Sequence, residues 1–202
     1  MRVVDEQDRP VPTGESGELL VRCAGPDPRS GFFSGYLKDE VATEAAWRGG
    51  WFHTGDMVSQ GGDGVLYFVD RRKNIIRRSG ENISAAEVEE ALIASPEAQG
   101  VAVMAVADEL RDEEVLACVK ARPDVEPGPE LAMTLFERAR RRIPYHKLPG
   151  WIVFVDEIPL TGTQKMRKGL IFPEDMDPRT HPQATDLRHL KKRTVAASQP
   201  AG

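Results

Sequence analysis

The feature that most restricts the fold is a change of hydrophobic period at Ser84. From there Val88, Ala91 and Leu92 recur at helical spacing behind Ser84 and Glu87, which stand three apart as in a capping box, so a helix is predicted over about 85–94. Two valine-rich runs follow, GVAVMAVAD and EVLACVKAR, with the composition of strands. A Pro/Asp/Gly loop at 122–129 leads into a second helix, whose Leu131, Leu135, Phe136 and Ala139 share a face. WIVFV then supplies another strand. Helix, strand, strand, helix, strand over roughly 84–155 can bury its apolar faces as a compact α+β subdomain.

The residues before this switch read differently. Arg2–Val4 and Glu18–Cys23 are short β-like runs around the turn-rich RPVPTGESG, and GYLKDEVATEAAWRGG suggests a short helix ending at Gly49 and Gly50. WFHTGDMVSQGGDGVLYFVDRR reads as strand, turn, strand, with Asp63 and Gly64 providing the turn. After Phe172, proline, charge and small polar residues prevail, which predicts a flexible tail. The expected organisation is a β-rich segment over 1–70, an α+β subdomain over 71–172 and a tail over 173–202.

At 202 residues, 40% hydrophobic and 29% charged, the chain has ordinary globular composition. Cys23 and Cys118 are too few for a disulfide framework and lie in no zinc-ligand spacing, so no metal site and a reducing, cytoplasmic setting are expected. Neither a membrane-spanning run nor a signal peptide is visible in the sequence. A net charge of −5 argues against nucleic acid, although Arg71, Arg72, Lys73, Arg77 and Arg78 form one basic cluster and Arg138, Arg140, Arg141 and Arg142 another. Solvated charge is the plain reading for Arg72, Arg77 and Arg78.

Four segments in fixed order carry more information: GYLKDEVATEAAW, GWFHTGD, VDRRKNIIRRSGENISAAEVEEAL and LPGWIVFVDEIPLTGTQKMRK. Their succession resembles the C-terminal portion of the adenylate-forming enzymes, which include AMP-forming acyl-CoA synthetases. The IIRRSGENIS and TGTQKMRK wording is most similar to crotonobetaine/carnitine-CoA ligases. The resemblance covers about residues 1–172. It places 1–70 at the β-rich end of the family's large domain and 71–172 in its mobile lid. The large N-terminal portion, with its Ser/Thr/Gly-rich phosphate loop and acyl pocket, has no counterpart in these residues and would be the lid's partner.

The resemblance implies ATP (or AMP) and CoA as ligands, a carboxylic acid as substrate, and Mg²⁺ accompanying ATP on ligands outside this chain. It implies a place in fatty acid metabolism. Lys165 matches the lysine that meets negative charge at the α-phosphate, a role worth on the order of 10² to 10³ in rate. Asp56 and Arg71 match the pair that reaches the ribose, and Lys73 the hinge. Gly80, Glu81 and Asn82 match the loop that lines the path of pantetheine. Glu87 is better read as the cap partner of Ser84, and Tyr36 and Thr43 as packing positions. One departure stands beside Lys165: the family has glycine where this chain has Gln164. A positive φ there would strain glutamine by about 1 kcal/mol. Without the phosphate loop, the isolated chain is expected to be inactive; the alternative is a non-catalytic nucleotide- or CoA-binding module.

Overall fold

The computed structural model describes residues 1–33 and 35–191. The chain divides into two compact units, Met1–Lys73 and the remainder from Asn74.

In the first unit, strands β1 (Arg2–Val4), β2 (Ser16–Val21), β3 (Phe52–Gln60) and β4 (Leu66–Arg71) form an antiparallel sheet in that order. Helix α1 (Glu40–Ala46) lies between β2 and β3 in sequence and is capped by Asp39, whose side chain accepts the Ala42 amide. The turn predicted at Asp63 and Gly64 joins β3 to β4, with Gly64 at φ 82° and the Val65 amide donating to Asp63. The unit reaches Lys73 rather than ending at residue 70. Arg71 completes β4 opposite Asp56, and Arg72 is held by an ion pair to Glu18.

The second unit contains β5 (Ile75–Arg78), β6 (Glu81–Ser84), α2 (Ala85–Ile93), β7 (Ala98–Asp108), β8 (Asp112–Ala121), α3 (Pro129–Ala139), β9 (Trp151–Phe154) and β10 (Ala184–Asp186). The predicted helix–strand–strand–helix–strand order is present as α2, β7, β8, α3 and β9. Strand β8 pairs antiparallel with β7 and parallel with β9, the parallel return being made through α3. Its side chains alternate between two apolar clusters. Val115, Ala117 and Val119 join Val88, Leu92, Leu135 and Phe136 from the helices, whereas Leu116 and Cys118 meet Val153 and the partly buried Ile171 and Phe172. Burial on both faces explains why VLACVK reads as a continuous apolar run rather than an alternating one.

The expectation of a flexible tail from residue 173 is corrected for the residues up to Lys191. Strand β10 pairs antiparallel with β9, Leu187 is buried in the helix-side cluster, and Lys191 is buried beside Glu114. Edge pairing, a few scattered apolar contacts from Ala184, Leu187 and Leu190, and ion pairs hold this segment, none of which produces a hydrophobic period. Residues 192–202 of the expected tail lie outside the described residues.

Candidate functional site

The HTGD stretch is built around a bulge. Glu18 pairs with Met57 and Leu20 with His53, so Leu19 alone on β2 faces Thr54, Gly55 and Asp56 on β3. Gly55 supplies the left-handed turn at φ 70°. Thr54 fixes the geometry, its hydroxyl donating to the Leu19 carbonyl at 2.7 Å and accepting the Asp56 amide at 3.1 Å. The Gly55 amide, displaced from the ladder, donates to Glu18 Oε1 at 3.1 Å.

This arrangement presents Asp56 to Arg71 on the neighbouring strand. Arg71 Nε lies 2.8 Å from Asp56 Oδ1, and Arg71 Nη1 donates to the Thr54 carbonyl at 3.2 Å. Oδ1 is buried but receives no hydrogen bond of good geometry, while the Asp56 side chain as a whole remains 28% exposed. A carboxylate with one oxygen against a guanidinium and further surface open to solvent suits a ligand bearing paired hydroxyl donors, such as a ribose. Asp56 and Arg71, separate in sequence, are therefore brought together; Lys73 is the last residue of the same unit.

In the second unit, Gly80 lies in a two-residue turn between β5 and β6, where Arg78 faces Glu81. Ser79 and Gly80 have φ of 52° and 84°, the pattern of a type I′ hairpin. A Cβ on Gly80 would meet nothing within 4 Å, so the turn itself is reason enough for glycine. Gly80, Glu81 and Asn82 are exposed. Behind them the chain enters the core at Ile83, and Ser84 caps α2 by accepting the Glu87 amide at 3.3 Å, as predicted. The Glu87 carboxylate takes the Lys147 ammonium at 2.6 and 2.8 Å.

Lys165 stands on a hairpin. Leu160 bridges Met166, the Gln164 amide donates to the Thr161 carbonyl at 2.9 Å, and the Thr161 amide donates to the Lys165 carbonyl at 2.8 Å. That is the bonding of a tight turn followed by a bulge residue in the left-handed region. Gln164 occupies that position, at φ 62°. The condition under which glutamine is strained is met. The Thr161 hydroxyl accepts the Lys165 amide at 3.0 Å, which fixes the backbone beneath the lysine. Lys165 Nζ itself is exposed and makes no hydrogen bond or ion pair among the described residues. Lys168 contrasts with it, donating to the Val103 carbonyl at 2.7 Å and pairing with Glu89 at 2.8 Å. One lysine of KMRK anchors the hairpin and the other is left to act.

Two members of the basic clusters are not solvated charges as expected. Arg78 is buried, donating from Nε to both oxygens of the fully buried Glu114 at 2.9 and 2.8 Å, and Arg72 donates to Glu18 at 2.9 Å. Lys191 completes the Glu114 cluster at 2.5 Å; burial pulls its ammonium down to about 8 against the attraction of Glu114. Gly150 is required there, since a Cβ would come within 2.4 Å of Glu114 Cγ. Sequence reasoning missed Glu18 and Glu114. The available signal was a carboxylate inside an otherwise apolar strand, as in GELLV and EEVLACV. The Cys118 thiol, pushed up to about 12 by burial, is chemically quiet.

Comparison with known proteins finds relatives of this chain. Residues 87–165 match the AMP-binding enzyme C-terminal domain, the match ending at Lys165. The chain is 41% identical to the crotonobetaine/carnitine–CoA ligase of Salmonella typhimurium over 81% of its own length and 31% of that protein. Among solved structures, the o-succinylbenzoate CoA synthetase MenE of Bacillus subtilis, in complex with its acyl-adenylate intermediate, superposes with a TM-score of 0.69 at 26% identity, covering 85% of this chain and 33% of that one. The amide bond synthetase McbA of Marinactinospora thermotolerans gives 0.64 at 31% identity, with 83% and 32% covered. Residues 87–165 are thus similar to the C-terminal domain of AMP-binding enzymes, and the relatives found include acyl-CoA ligases. It spans about a third of the length of the curated relatives it matches.

Proposed function

We propose that this chain is the lid-bearing part of an ATP-dependent acid–CoA ligase. A substrate carboxylate oxygen attacks the α-phosphorus of ATP and pyrophosphate leaves; the CoA sulfur then attacks the acyl carbon and AMP leaves. In the first half Lys165 brings its ammonium to the α-phosphate, where negative charge develops. Asp56 and Arg71 hold the ribose. Lys73 is the hinge about which the lid turns between the two halves, and Gly80, Glu81 and Asn82 line the pantetheine path in the second. Mg²⁺ accompanies ATP on ligands outside this chain. The triphosphate cradle and acyl pocket belong to a large N-terminal portion, without which we expect no turnover.

The observation that carries this reading is the exposed ammonium of Lys165, unpaired among the described residues, on a hairpin whose base is pinned by Lys168. A mobile point charge on a fixed backbone suits a group delivered to phosphate. The test is acid-dependent ATP–pyrophosphate exchange. The chain would be mixed with the N-terminal portion of the Salmonella crotonobetaine/carnitine–CoA ligase, with crotonobetaine as acid. Exchange above that of either part supports the proposal, and none at saturating concentrations opposes it. The second reading is a nucleotide- or CoA-binding module without turnover. AMP or CoA binding with no thioester formed in the mixture would select it.

A further inference from the structure

Glu18 is a buried carboxylate of the first unit with several partners. It is almost fully buried, yet its oxygens meet groups from three parts of the chain. Oε1 accepts the Gly55 amide at 3.1 Å, and Oε2 lies 3.2 Å from His53 Nδ1 and accepts from Arg72 Nη1 at 2.9 Å. Arg48 Nη2 is more distant at 3.9 Å and has its own partner, Asp8, at 3.1 Å. Glu18 thus joins the bulge that presents Asp56 to the residue immediately before Lys73.

We propose that Glu18 is a positioning residue that clamps Arg72 to the Asp56 bulge, so that rotation at the unit boundary begins at Lys73 and leaves Asp56 and Arg71 in register. The proposal rests on the reading of Lys73 as hinge and of Asp56 with Arg71 as ribose contacts. Without such a clamp, torsion at Lys73 could spread back into β4 and carry Arg71 away from Asp56, because Arg71 is the last residue of that strand. Arg72 is half-exposed and bonded through its side chain, so its restraint depends on the buried carboxylate. The Gly55 bond fixes the other end of the clamp, the carboxylate itself, to the bulge.

Limited trypsin digestion of the purified chain tests this, because Lys73 provides a cleavage site at the boundary. The rate of cleavage after Lys73 is measured by mass spectrometry and normalised to the urea-denatured chain. Glu18→Gln keeps an acceptor for Gly55 but removes the charge; Arg72→Gln removes only the cation. Each should raise the rate about fivefold, as expected for loss of a partly buried ion pair that restrains local opening. The double variant should show no further increase, and Arg72→Lys should restore protection. Should Glu18→Gln fail to fold, Arg72→Gln and Arg72→Lys decide the matter alone. Wild-type cleavage in Arg72→Gln, or additive effects in the double variant, would overturn the clamp. Failure of the hinge reading is seen separately, as undiminished thioester synthesis by Lys73→Pro in the reconstituted mixture.

Discussion

Replacing Glu114 by glutamine should be among the most damaging isosteric changes in the second unit. Its carboxylate is fully buried, takes Arg78 Nε through both oxygens, receives Lys191, and accepts the Val115 amide at 2.9 Å. Glutamine keeps the volume but leaves the Arg78 cation without a counter-charge, and arginine cannot escape by deprotonation. Lys191 can, since burial already holds it down at about 8, so the cost falls mainly on Arg78. Breaking a buried pair in this way costs about 3–5 kcal/mol. The assay is native-state amide exchange on Val115–Val119 of β8, which reports opening of this unit separately from the first. A loss of 3–5 kcal/mol corresponds to exchange roughly 10² to 10⁴-fold faster. Adding Arg78→Met should recover part of the loss, since no cation is then stranded. Acceleration of less than about tenfold, or no recovery in the double variant, would refute the reasoning.

Gln164→Gly should relieve left-handed strain of about 1 kcal/mol at φ 62°. Exchange of the Thr161 amide should slow about fivefold, whereas an equal effect of Gln164→Ala would show that strain is not the cause. Gly80→Ala forces a Cβ into φ 84° in the β5–β6 turn and should destabilise the second unit by about 1–2 kcal/mol; Gly80→Asn should cost less, as read by the same β8 exchange. The buried Lys191 ammonium makes the unit sensitive to alkaline pH. Between about 8 and the ordinary 10.5 the unfolded chain holds the lysine proton more tightly than the folded one, so Lys191's contribution to stability rises with pH across that window. The difference in stability between the wild type and Lys191→Met should change in that direction, and a difference independent of pH would contradict the assignment.

Much of the fold was legible because its signals are local. The change of period at Ser84 marks α2, the Leu131–Ala139 face marks α3, and the Asp63–Gly64 turn marks the β3–β4 hairpin. Residues 173–191 were not legible, since β10 gains its stability from an edge of β9 and from Leu187 and Lys191, contacts between residues distant in sequence. The site divides in the same way. Motif order singled out Asp56, Arg71 and Lys165, and the fold adds that Asp56 meets Arg71 while Lys165 Nζ stays unpaired among the described residues. Glu18, Thr54 and Glu114 escaped notice because their partners lie far away in sequence, and a polar residue within a strand does not by itself name them. The distinction between Lys165 and Lys168 likewise depends on Glu89, a residue on α2. The left-handed conformation of Gln164 could be posed as a question from sequence but answered only by the turn.

The role of Lys165 is tested most directly by separating the two half-reactions in Lys165→Ala, using the chain reconstituted with the N-terminal portion of a relative. Acid-dependent ATP–pyrophosphate exchange should fall by about 10² to 10³-fold, while thioester formation from a preformed acyl-adenylate and CoA persists near the wild-type rate. Exchange at full rate in that variant would contradict the role of the ammonium.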